Sequence, residues 1–71
     1  MTPKRIDARG LSCPQPIVLV DRALKEGNTD LEILVDNEVA RENVTRLTAR
    51  RGLKTDVHRE GTDTIIRTVG A

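Results

Sequence analysis

Between Lys4 and Ala8 the chain alternates, with Ile6 and Ala8 on one side and Arg5 and Asp7 on the other, the period of a short strand. A turn follows at Arg9-Gly10-Leu11-Ser12, and from Pro14 the period changes. Ile17, Val20, Ala23 and Leu24 recur at helical spacing, and Gly27-Asn28 is a stop signal. Leu31, Ile33 and Val35 then alternate with Glu32 as a second strand, in which the extra apolar Leu34 implies partial cover on the opposite face. A second helix is expected from an Asp36 N-cap, with Glu38 in the first turn, where the helix dipole favours negative charge. Its inner stripe is Ala40, Val44 and Leu47, flanked by Val39; Arg50 and Arg51 occupy the last turn, and Gly52 closes it. Leu53–Glu60 and Thr64–Val69 read as two strands of a hairpin turning at Glu60-Gly61-Thr62-Asp63. Ile65 and Ile66 are adjacent, which leaves the buried face of the last strand open between them.

The resulting order, β-α-β-α-β-β, defines the fold class as α/β of the α+β two-layer kind. Strand-helix-strand units favour parallel neighbours, and a hairpin must be antiparallel, so the four-stranded sheet is expected to be mixed. In so short a chain both helices are expected on one face, leaving the other partly open. With 71 residues, one domain over residues 1–71 is the expectation.

Composition narrows the chemistry. The chain has no Phe, Trp or Tyr, so the core must be aliphatic and thin, and folding buries only about 60% of the surface of a chain this size. The same zeros remove base stacking, the usual grip on single-stranded nucleic acid. Twelve basic residues against eleven acidic ones leave a net charge of +1, so no global field draws the chain to nucleic acid or to an anionic membrane. One Cys and one His cannot by themselves build a four-ligand zinc site or an internal disulfide, and neither a metal nor a cofactor is expected. The longest Ile/Leu/Val run, Ile17 to Val20, is far short of the roughly 20 residues needed to span a bilayer. No apolar stretch follows the basic N-terminus, and a cytoplasmic location is the default.

Chemistry concentrates in Asp7-Ala8-Arg9-Gly10-Leu11-Ser12-Cys13-Pro14-Gln15-Pro16. Cys13 immediately precedes a helix, where unpaired N–H groups and the positive dipole end favour a thiolate. Against this stands the buried, inert role common to unpaired cysteines. Pro14 suits a first helical position and biases Cys13 toward extended geometry, and the helix can begin at either Pro14 or Pro16. The dipole contributes about 0.3–1 kcal/mol, less than the 1.36 kcal/mol of one pKa unit, and Arg9 is the nearest residue that could add to it. Gly10 suits a turn conformation closed to other residues, and Asp7 and Arg9 are placed to orient the loop. His58 falls on the polar side of the third strand and reads as a solvated residue.

The run Asp7-x-Arg9-Gly10-x-x-Cys13-Pro14-x-Pro16 before an aliphatic helix resembles the motif of the TusA/SirA-like small sulfur-carrier family, and the element order resembles that family along nearly the whole chain. Val35-Asp36-Asn37-Glu38 through Asn43-Val44-Thr45-Arg46 is most similar to the N-terminal module of YedF-like proteins of selenium metabolism. The resemblance implies a two-layer sandwich similar to the C-terminal domain of translation initiation factor 3. It also implies a persulfide carried on Cys13, supported by Asp7, Arg9, Gly10, Pro14 and Pro16. The protein would be a carrier rather than a self-sufficient enzyme, loaded by a cysteine desulfurase or rhodanese-like donor and discharged to a DsrE-like or other sulfur-acceptor protein. Selenium handling would use the same residue. A partner-binding or regulatory module with a structural Cys is the alternative. RNA binding, suggested by the fold and the arginines, ranks last at this net charge. Among the arginines of the second half, Arg46, Arg50 and Arg51 are candidates for docking onto an acidic partner, against the plainer reading of a solvated helix with favourable C-terminal charge.

Overall fold

The computed structural model describes residues 4–11 and 15–70. Six elements follow in the expected order: β1 (Lys4–Asp7), α1 (Gln15–Lys25), β2 (Leu31–Val35), α2 (Glu38–Arg50), β3 (Lys54–Glu60) and β4 (Asp63–Val69). The sheet order is β1-β2-β4-β3, with β1 parallel to β2 and β4 antiparallel to both its neighbours. The sheet is therefore mixed, and its last strand in sequence lies inside it.

Register decides which residues share a face. Ile6, Ile33, Ile66 and Val57 lie directly opposite one another across the four strands, and the first three are the centre of the core. Val20 and Ala23 of α1 and Ala40 and Val44 of α2 close over them from one side. This resolves the ambiguity of the last strand: Ile66 is fully buried under the helices, and Ile65, half-buried, faces the other way beside Leu34. Leu34 is only 4% exposed, which is the partial cover its sequence position implied.

Three threonines, Thr48, Thr64 and Thr68, are buried where an aliphatic residue would be the simpler choice. Hydroxyls are tolerated there when they find partners. Thr68 Oγ1 donates to Thr29 O at 2.9 Å and accepts from Leu31 N at 3.1 Å, while Thr48 and Thr55 share a hydroxyl–hydroxyl bond of 2.9 Å between α2 and β3.

The helix ends show how local chemistry sets the boundaries. Pro16 is the second residue of α1, inside the first turn, where a missing N–H costs no intrahelical bond. At the other end Gly27 N–H reaches Leu24 O at 3.0 Å and Asn28 N–H reaches Ala23 O at 3.1 Å, the paired bonds that close a helix C-terminus. The N-cap expected at Asp36 belongs instead to Asn37, whose side-chain oxygen accepts from Ala40 N–H at 2.8 Å. Asp36 is not available for that bond because its carboxylate is engaged elsewhere, as described next.

Candidate functional site

Parallel pairing of β1 with β2 brings the C-terminal ends of both strands to one edge of the sheet, and each strand there hands over to a helix. Antiparallel β4 starts at the same edge. Three loops that are remote in sequence therefore meet: the one after Asp7, the link Asp36-Asn37, and the β3–β4 turn.

The loop after Asp7 is held at two points. Arg9 forks onto Asp7, with Nε to Oδ1 and a terminal nitrogen to Oδ2, both at 2.9 Å, while its other terminal nitrogen reaches Asp63 Oδ2 at 3.0 Å. The backbone N–H of Arg9 also donates to Asp7 Oδ1 at 3.1 Å. One guanidinium thus ties the end of β1 to the start of β4. Its hydrogen bonds hold the Asp7 carboxyl down at a pKa of about 2, and the two carboxylates in turn push the Arg9 pKa upward. Because Arg9 is matched by two carboxylates, its positive charge is already compensated.

Gly10 is the second anchor. Its φ is +74°, the left-handed region that disfavours any side chain, and its N–H donates to Asp36 Oδ2 at 2.9 Å. Asp36 Oδ1 accepts from the Asn37 side-chain amide at 3.2 Å, so one carboxylate joins the first loop to the residue that caps α2.

Beside these anchors lies a cavity of about 380 Å³ between the starts of the two helices. Leu11, Pro16, Ile17 and Val39 give it apolar walls, and Gly10, Asp36 and Asn37 give it a polar edge. Val39 is 60% exposed, an apolar side chain standing at the rim.

Of the residues expected at the site, Asp7, Arg9, Gly10 and Pro16 converge on this edge of the sheet. Cys13 and Pro14 lie outside the described residues, between Leu11 on the cavity wall and Gln15 at the start of α1. Asp36 and Asp63, which hold the loop, carried no local signal for that role: their partners are 26 and 54 residues away. His58 lies in the row Asp7, Leu34, Ile65, His58, and three strand spacings put it about 14 Å from Asp7, at the far side of the sheet. Arg51 is tied by a 2.6 Å bond to Asp21 of α1. Arg46 and Arg50 are exposed, one turn apart on α2, and form no ion pair with another described residue. Among the described residues no three metal-ligating side chains come together, and no helix is long and apolar enough to cross a membrane.

A family model described as sulfurtransferase TusA matches residues 4–69. Among solved structures, the crystal structure of a SirA-like protein from Desulfitobacterium hafniense superposes with a TM-score of 0.81 at 26% identity, covering 94% of this chain and 97% of that one. No curated protein matched the sequence.

Proposed function

We propose, from the premise that this chain belongs to the TusA sulfurtransferase family, that it is a small sulfur carrier whose working atom is the sulfur of Cys13. The family itself suggests a sulfur-carrier role. The observation that carries the reading to this residue is the double anchorage of the motif loop, by Arg9 on Asp7 and Asp63 and by Gly10 on Asp36, next to an apolar cavity at the starts of both helices.

In the proposed cycle the Cys13 thiolate attacks the outer sulfur of a persulfide on a donor protein. A new S–S bond forms to Cys13 as the donor's S–S bond breaks, and the donor thiolate leaves with the electron pair. Discharge repeats the exchange, with an acceptor thiolate attacking the outer sulfur on Cys13 and the Cys13 thiolate leaving. No net oxidant or reductant is required. Such a carrier needs a nucleophile on a fixed loop and little transition-state machinery, which agrees with His58 lying three strands away from the loop after Asp7.

A cysteine desulfurase or a rhodanese-like protein is the donor class, and a DsrE-like or similar thiol protein the acceptor class. Of the arginines on α2, Arg46 and Arg50 are the ones left for an acidic partner, about 12 and 18 Å along the helix from Glu38. Arg51 already serves to bind α2 to α1. Incubation with a cysteine desulfurase, its pyridoxal cofactor and cysteine is expected to add the mass of one sulfur atom, removable by dithiothreitol and missing in Cys13→Ser. A wild type left unmodified by several competent donors, with Cys13→Ala still binding the same partners as wild type, would instead make the thiol structural.

A further inference from the structure

The sheet face turned away from the helices carries a pattern that sulfur exchange does not use. Register places Arg5 opposite Glu32, Glu32 opposite Arg67, and Arg67 opposite Asp56. Across β1, β2, β4 and β3 the row therefore reads plus, minus, plus, minus. Within the chain these pairs are loose: Glu32 is 3.6 Å from Arg5 and 3.9 Å from Arg67, and the two arginine side chains are 65% and 55% exposed. Their charges are open to a further partner.

The signs have a symmetry. Reversed end to end, the row reads minus, plus, minus, plus, so it is the complement of itself. A second copy turned about a two-fold axis that runs parallel to the strands, between β2 and β4, lays Arg5 over Asp56 of the second copy and Glu32 over its Arg67. The same rotation places the half-buried Ile65 of one copy above the other copy's Leu34, which is already covered within its own chain, so the pairing rests on the charged row. The other dyad lying along the sheet, perpendicular to the strands, does worse. It sets Arg67 over the half-buried Ile65 and leaves Glu32 and Arg67 without opposite charges facing them, a costly arrangement.

We propose that this face is a self-complementary docking surface on which two copies of the chain pair around the dyad parallel to the strands. Three strand spacings by about 17 Å of strand make a small, highly charged patch. With mainly exposed charges to join it, the dimer is weak and governed by charge. It forms on the opposite side of the sheet from the helices, and the cavity at the starts of α1 and α2 remains accessible in it. The pairing therefore does not depend on the sulfur-carrier reading.

Sedimentation velocity over a concentration series reaching on the order of 1 mM tests it. A dimer is expected at low salt and should disappear near 1 M salt, where the screening length falls to about 3 Å. Glu32→Arg and Arg67→Glu each set like charges face to face at the dyad and should both be monomeric. An equimolar mixture of these two variants should dimerise again, because each row then complements the other at all four positions. The double reversal Glu32→Arg/Arg67→Glu in one chain should do so as well. A wild type that stays monomeric throughout overturns the proposal and leaves the face to some other molecule. Single variants that pair as wild type does, or a mixture and double reversal that both stay monomeric, overturn it equally.

Discussion

Replacing Gly10 with alanine isolates the backbone requirement of the motif loop. A Cβ built at this position meets nothing within 4 Å, so the substitution introduces no clash with its surroundings. What remains is the φ of +74°. Holding an L-residue in the left-handed region costs roughly 1–2 kcal/mol. Alanine also narrows the unfolded ensemble, which offsets about 0.4–1 kcal/mol of that. A net loss of about 1 kcal/mol is expected, which for a domain of this size lowers Tm by about 4–8 °C and, with m near 1 kcal/mol/M, moves the urea midpoint by about 1 M. Asparagine tolerates the left-handed region better than alanine does, so Gly10→Asn should lose distinctly less. Urea titrations followed by far-UV circular dichroism, with wild type, Gly10→Ala and Gly10→Asn side by side, make the comparison. Alanine as stable as glycine, or asparagine as damaging as alanine, would refute the assignment of the cost to φ. Asp36→Ala provides a control for the other route, loss of the Gly10 N–H bond. Because that N–H is exposed and can turn to water, its loss should cost no more than about 1 kcal/mol.

Ile33, fully buried at the middle of the four-strand row, should lose about 2–5 kcal/mol on conversion to alanine, against a total of about 4–10 kcal/mol expected for 71 residues. Thermal melts should show Ile33→Ala at the edge of unfolding and Ile33→Val only about 0.5–1.5 kcal/mol weaker than wild type. Asn37→Ala removes the α2 cap and should cost about 1 kcal/mol by urea titration, with Asn37→Asp close to wild type. The Asp7 carboxyl, depressed from 3.8 to about 2 by its hydrogen bonds from Arg9, stabilises the folded chain fully above its ordinary value, and that contribution is lost as pH falls through about 2. Urea midpoints measured between pH 4 and pH 2 should therefore fall more gently in Asp7→Asn than in wild type. The difference should be small and shrink in high salt, since the pair is exposed; equal slopes would show that the pair contributes nothing.

Periodicity and turn residues suffice to read all six elements, five of them from an apolar pattern and β3, whose only apolar residue is Val57, from the hairpin turn that follows it. Strand and helix limits fell within a residue or two of those observed, such as a first strand expected to Ala8 that ends at Asp7 while Ala8 N–H still reaches Leu34 O. The choice between Ile65 and Ile66 could not be made locally, since either alternation fits β4; it is made by Ile33 opposite Ile66 under the helices. The Asp36 cap was misplaced by one residue for a related reason. Asp and Asn are both good caps, and what separates them is the Gly10 N–H arriving from 26 residues away. Arg9 shows the same limit: its bond to Asp7 is local, but its second partner, Asp63, is delivered by the sheet order from 54 residues away. The motif marked the loop, and long-range pairing decided what holds it.

The position of β4 has a consequence in time. A ribosome releases β1, α1, β2, α2 and β3 first, yet β2 and β3 are joined only through β4, at residues 63–69. Until those residues emerge, the nascent chain holds Ile33 beside an empty lane in which Ile66 belongs, and β3 has no strand to pair with. Folding should therefore wait for the final strand rather than proceed stepwise behind synthesis, and it should be slowed by the long-range closures this requires. A nonsense mutation just before residue 63 would then be no mild trimming of an edge. It would remove the middle of the sheet and leave two unsealed strand edges exposed to aggregation.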